Sequence, residues 1–161
     1  MAYTVKIEWE KAEGDAFVDN KYSRVHKLIF DGGIDVAGSA SPHVVPPPMS
    51  SEAAVDPEEM FVASLSSCHM LWFLSLAAEK KFVVKSYEDN AVGVLGKDAD
   101  GKYGMTKVTL KPKAVFGGEN KPTPEQIKGL HEEAHEKCFI ANSVKTVVTI
   151  EAVTEEILCS I

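Results

Sequence analysis

From Met60 to Ala78 the chain runs for nineteen residues without an Asp, Glu, Lys or Arg. A helix that is apolar nearly all round has to be hidden in a core or a membrane, so everything else must fold around this stretch. Its boundaries are written clearly. Asp56 is a good N-cap, Pro57 suits the first helical position, and Glu58 and Glu59 complement the helix dipole. Glu59 follows Asp56 by three, the spacing of a capping box, and Lys80 and Lys81 follow the far end. Four serines (Ser64, Ser66, Ser67 and Ser75), with Cys68 and His69, make the run too polar for a membrane span. The expectation is a central helix enclosed by a soluble protein. Helical spacing sets Cys68 on one stripe with Phe61, Leu65, Leu71, Trp72 and Leu76.

Strands are expected on either side. Tyr3, Val5, Ile7 and Trp9 alternate with polar residues, predicting a half-buried strand, and residues 11–21 read as a connection. Ser23–Asp31 and Ile34–Ala37 form a hairpin about Gly32-Gly33. Residues 38–55 are a long loop held extended by Pro46, Pro47 and Pro48. Beyond the helix, Phe82–Tyr87 and Val92–Val94 are extended, with a turn at Asp98-Ala99-Asp100-Gly101. Val108 to Phe116 reads as one long strand with a wet face, and Pro112 marks an edge or bulge in it. Thr123-Pro124-Glu125-Gln126 caps a second helix whose stripe is Ile127, Leu130, Ala134 and Cys138. Val148, Ile150 and Ala152 form a last strand. Strands clustered before and after a central helix give an α+β class, and 161 residues suit one domain, residues 1–161.

The net charge of −7 argues against a nucleic-acid binder. The first residues lack the apolar core of a signal peptide, and three cysteines are too few for a disulfide scaffold. Both fit a reducing, cytoplasmic setting. There, two cysteines on the apolar sides of two helices are either inert small hydrophobes or a reactive pair. Arg24 is the single arginine in the sequence, beside sixteen lysines. It is either a surface residue or a fixed cation with bidentate reach.

DPEEMFVASLSSCHMLWFLSLAA resembles the central-helix signature of the OsmC/Ohr family, the osmotically inducible and organic-hydroperoxide-resistance proteins. HEKCFIANSVKT is similar to the family's second-cysteine segment, and SPHVVPPP resembles its OsmC branch. The resemblance implies an OsmC-like α+β fold, with antiparallel sheets around a long buried helix and an intertwined homodimer. It also implies a thiol peroxidase for organic hydroperoxides, needing neither metal nor organic cofactor. Cys68 would become a sulfenic acid and Cys138 would condense with it to a disulfide. Arg24 would stabilise the thiolate and the departing oxygen, and Glu58 would orient Arg24. Phe61, Trp72 and Phe139 would favour alkyl peroxides, and a dithiol, lipoyl groups included, would be the reductant.

Two other readings remain open from the residues. One is a binding protein of the same fold, holding an apolar ligand, with silent cysteines. The other is a metal-binding protein using His131 and His135, spaced i, i+4, with Cys138. Solvated histidines on a helix face are the plainer reading of that pair. His69 reads as structural and Cys159 as non-catalytic. Ten helical residues rise about 15 Å and stop roughly 80° short of whole turns, so Glu58 does not reach Cys68 along a straight helix. A homodimer with antiparallel helices would supply Glu58 from the partner and cover the central helix.

Overall fold

The computed structural model describes residues 1–153, which form two compact units, the first ending at Met60 and the second beginning at Phe61. Cys159 lies outside the described residues.

The first unit is an antiparallel meander of β1 (Val5–Glu8), β2 (His26–Phe30) and β3 (Asp35–Gly38). Ile7 pairs with Leu28, and Leu28 with Val36. The β2–β3 turn needs a positive φ at Gly33, +80°. Gly38 is required for another reason: a Cβ there would collide with the His26 and Leu28 side chains. The alternation at the N-terminus does make a strand, but not a half-buried one. Val5 and Ile7 are 52% and 55% exposed, because nothing among the described residues covers their face of β1. The loop of residues 39–55 is folded rather than extended. Val44 and Val45 both donate to Ser41 O, the Pro47–Pro48 peptide is cis, and Ser39 Oγ accepts from Ser51 N–H at 3.0 Å.

The central helix, α1 (Pro57–Glu79), begins as its sequence dictates. Glu59 N–H donates to Asp56 Oδ1 at 2.8 Å, and Asp56 N–H donates back to Glu59 Oε2 at 3.0 Å. It ends in a Schellman motif without glycine: Lys81 adopts φ +62°, Phe82 N–H donates to Ala77 O and Lys81 N–H to Ala78 O.

In the second unit α1 is followed by β4 (Val83–Asp89), β5 (Val92–Lys97), β6 (Tyr103–Leu110), β7 (Pro112–Gly117), α2 (Pro124–Lys137), a short 3-10 turn (Ala141–Ser143) and β8 (Val147–Ile150). The single long strand expected across 108–116 is two strands in two sheets. β6 pairs with β5 and β8, and β7 pairs with β4. Pro112 has no N–H for a ladder, and Lys111 N–H leaves it to donate to Asp89 Oδ1 at 2.6 Å. The same carboxylate accepts from Ser66 Oγ at 2.5 Å, tying the break to α1. No wet face exists at the end of β6, where Val108, Thr109 and Leu110 are all buried. β8 runs parallel to β6, whereas the other strand pairings are antiparallel.

The core has two parts. Phe73, Leu76, Ala77 and Phe82 pack with Leu130 and Ala134 of α2. Leu65 packs with Val108 and Leu110. The buried stripe of α1 is therefore Leu65, His69, Phe73, Leu76 and Ala77, turned about one residue from the expected one. Cys68 sits at its margin, and Leu71, placed on the stripe by spacing alone, is 61% exposed. The opposite face shows Ala63, Ser64, Ser67, Leu71, Ser75 and Ala78.

Candidate functional site

Cys68 and Cys138 come together. Thr123 caps α2 with a full capping box, its hydroxyl accepting from Gln126 N–H while Gln126 Oε1 accepts from Thr123 N–H. The helix then delivers Cys138 to its C-cap, fully buried. There the half-buried Cys68 is a near neighbour, close enough to bear on the Cys138 pKa, and the two are free thiols. Burial, with the neighbouring Cys68 thiol, pushes the Cys138 pKa up to about 11, against the opposing effect of the Ala141 and Ile140 N–H groups. Ala141 N–H lies 3.4 Å from the sulfur. Cys138 is thus a protonated, poorly nucleophilic thiol at pH 7, and Cys68 is the more accessible of the pair. Two neighbouring free thiols can close a reversible disulfide once their Cα and Cβ separations fall within its bounds.

Of the three expected pocket residues, two meet beside this pair. Trp72 and Phe139 form an edge-on aromatic contact, centroids 5.5 Å apart, and Lys137 Nζ lies 5.6 Å from the Trp72 ring. Phe139 is 69% exposed, so the rings form a partly open apolar wall. Phe61 goes elsewhere, against Leu65, Val108 and Leu110.

Arg24 is placed in the first unit, on a groove of about 450 Å³ lined by Ile7, Trp9, Phe17, Tyr22 and His26 among others. Its guanidinium lies 4.0 Å from the centre of the Tyr22 ring and donates to Tyr22 O, Asn20 O and Asn20 Oδ1. Among the described residues no ion pair joins it to Glu58. Trp9, Phe17 and Tyr22 pack as a three-ring cluster, with Phe17 coming from the 11–21 segment expected to be a plain connection.

The histidines correct a further expectation. His131 is not on a solvated face but 4% exposed, and His69 is 1% exposed. His69 Nε2 and His131 Nδ1 are 3.0 Å apart, with the rings within 5° of parallel. Both pKa values are lowered to about 4, chiefly by burial, with His131 and His135 contributing at His69. Both rings are therefore neutral at pH 7. Nδ1 of His69 and of His135 are buried without partners. Among the described residues no group of three or more His, Cys, Asp and Glu side chains is arranged to hold a metal ion. The signal was present in the sequence: Leu65, His69, Phe73 and Ala77 recur every four residues.

With this geometry in place, comparison with known proteins is informative. The family model described as OsmC-like protein matches residues 50–153. An OsmC-like protein of unknown function from Vibrio cholerae is 55% identical, with a TM-score of 0.94 over 95% of this chain and 99% of that one. The organic hydroperoxide resistance protein OhrB of Bacillus subtilis is 21% identical, with a TM-score of 0.65 over 94% of this chain and 98% of its own. An organic hydroperoxide resistance protein from Elizabethkingia anophelis is 18% identical, with a TM-score of 0.64 over 94% and 95%. These last two share the fold. The comparison with curated proteins finds no match.

Proposed function

This chain belongs to the OsmC-like protein family, and on that premise we propose that it reduces organic hydroperoxides with its two cysteines. The observation that carries the reading is the proximity of a half-buried Cys68 to a fully buried, high-pKa Cys138. Cys68 as thiolate attacks the terminal peroxide oxygen. The O–O bond breaks, the alkoxide takes a proton and leaves as alcohol, and sulfur becomes a sulfenic acid. The Cys138 sulfur displaces the hydroxyl of the sulfenic acid, its proton leaves with that hydroxyl as water, and a disulfide remains. An external dithiol reduces the disulfide and restores both thiols. Trp72 and Phe139 form the wall that accepts the alkyl group.

Arg24 and Glu58 enter as the guanidinium that steadies developing charge and the carboxylate that orients it. That role requires Arg24 to exchange its bonds to Asn20 and Tyr22. In the same proposal the protein works as a cytoplasmic homodimer. The uncovered Val5, Ile7 and Leu71 support it, since a second copy would bury them. A different reading, an apolar-ligand carrier with silent cysteines, is favoured by the first unit's aromatic groove alone.

The deciding experiment is loss of cumene hydroperoxide in the presence of a dithiol, with peptide mapping of the oxidised protein. The proposal requires turnover and a Cys68–Cys138 linkage. No peroxide loss, or a linkage through Cys159, refutes it.

A further inference from the structure

We propose that the hydrogen-bonded pair His69–His131 is a positioning device that fixes α1 against α2 in the register that keeps Cys68 and Cys138 close together. The inference rests on the preceding reading, that these cysteines close a disulfide.

Each helix contributes one histidine and one cysteine to the contact. On α1 His69 adjoins Cys68, and on α2 His131 precedes Cys138 by seven residues, close to two turns and on the same face. The two cysteines are therefore brought close beside the ring-on-ring contact of the two histidines. The His131 ring is held on both sides, stacked 5.3 Å from His69 and 4.3 Å from Phe73. The remaining core contacts here, through Phe73, Leu76, Ala77, Leu130 and Ala134, are apolar. Apolar packing tolerates small slips, whereas a buried hydrogen bond does not. Among the described residues His69–His131 is the one buried side-chain hydrogen bond that joins α1 to α2. The Lys80–Glu133 pair lies beyond the end of α1 and is exposed.

Stability does not account for the pair. Two imidazoles are taken out of water for one hydrogen bond, and His69 Nδ1 gains no partner. Two apolar rings of similar size would fill the space without that cost. What they would not do is set a register, and a disulfide is demanding in this respect, since its Cα and Cβ separations are narrowly bounded.

The test needs no peroxide. The full-length protein is equilibrated with reduced and oxidised glutathione, which gives up two thiols' worth of oxidation per disulfide formed and releases two reduced glutathiones. Mass spectrometry then yields the effective molarity of the Cys68–Cys138 bridge. Three variants are compared with the parent: His69→Phe/His131→Phe, His131→Leu and His131→Gln, whose amide still donates and accepts. Urea unfolding is measured in parallel.

The double variant is expected to keep the parent's stability while its effective molarity falls about tenfold or more. His131→Leu falls likewise, and His131→Gln stays within about threefold. A folded double variant with the parent's effective molarity overturns the inference while leaving the peroxidase reading intact. If the double variant does not fold, equal values for His131→Leu and His131→Gln overturn it. A parent chain that forms no Cys68–Cys138 bridge removes the two-cysteine reading and the inference together.

Discussion

Acid should destabilise this protein through the buried histidine pair. Both rings have their pKa lowered from the ordinary 6.5 to about 4, chiefly by burial. A depressed histidine pKa means that the unfolded chain binds more protons than the folded one between those values. Stability is then fully present above about pH 6.5 and is lost as pH falls towards 4. Working the linkage from the two values, each histidine gives up about 2 kcal/mol between pH 7 and pH 5, and the pair about 4 kcal/mol. That is a large share of the roughly 5–15 kcal/mol that holds a domain folded. Asp89 opposes the loss slightly by favouring the charged form of His69, while His135 adds to it. The assay is urea unfolding at pH 7, 6 and 5 at constant ionic strength, for the parent and for His69→Phe/His131→Phe. The parent should lose about 4 kcal/mol more than the double variant over that range. Parallel losses in the two proteins would show that the pair is not what titrates, and the burial argument would be wrong.

Three further outcomes follow from single residues. Cys68→Ser should abolish peroxide turnover, whereas Cys138→Ser should react once and proceed to sulfinic acid, seen as +32 Da, about two oxygens, by mass spectrometry; equal loss without any sulfenic acid would reverse the roles. Lys81→Gly should stabilise by about 0.5–1 kcal/mol in thermal unfolding, because Lys81 holds a positive φ at the α1 C-terminus. Thr123→Ala should cost about 1 kcal/mol by removing the α2 cap, with Thr123→Asp retaining most of it.

The elements with chemical punctuation were legible in the sequence. Asp56-Pro57 with Glu59, and Thr123-Pro124 with Gln126, place both helix starts, and both capping boxes form. The break in the 108–116 strand was only half legible. Pro112 announces it, but the partner that makes it a change of sheet is Asp89, more than twenty residues away. Long-range pairing of that kind leaves no local mark. The exposed β1 was read as half-buried because alternation reports an apolar face and not what covers it.

The most informative miss is the one-residue rotation of α1. Because the run from Met60 to Ala78 is apolar on most sides, its periodicity does not single out the core face. The reading that put Cys68 on the buried stripe favoured the larger side chains at Phe61, Leu71 and Trp72. The structure keeps Leu65 but adds His69, Phe73 and Ala77, which moves the polar imidazole inward and the sulfur to the margin. Chemically this is the more workable arrangement. A thiolate at the centre of the stripe would carry the full cost of desolvation, and no solvent-borne peroxide could reach it. One residue along the helix, a turn of about 100°, brings Cys68 to partial exposure while Cys138 stays buried beneath it. The same turn forces His69 into the core, where a neutral ring is tolerated only with a partner, and His131 is that partner. The placement of Cys68 and the existence of the histidine pair are thus one structural decision. A change that rotates α1 to bury Cys68 would have to break the His69–His131 bond to do so.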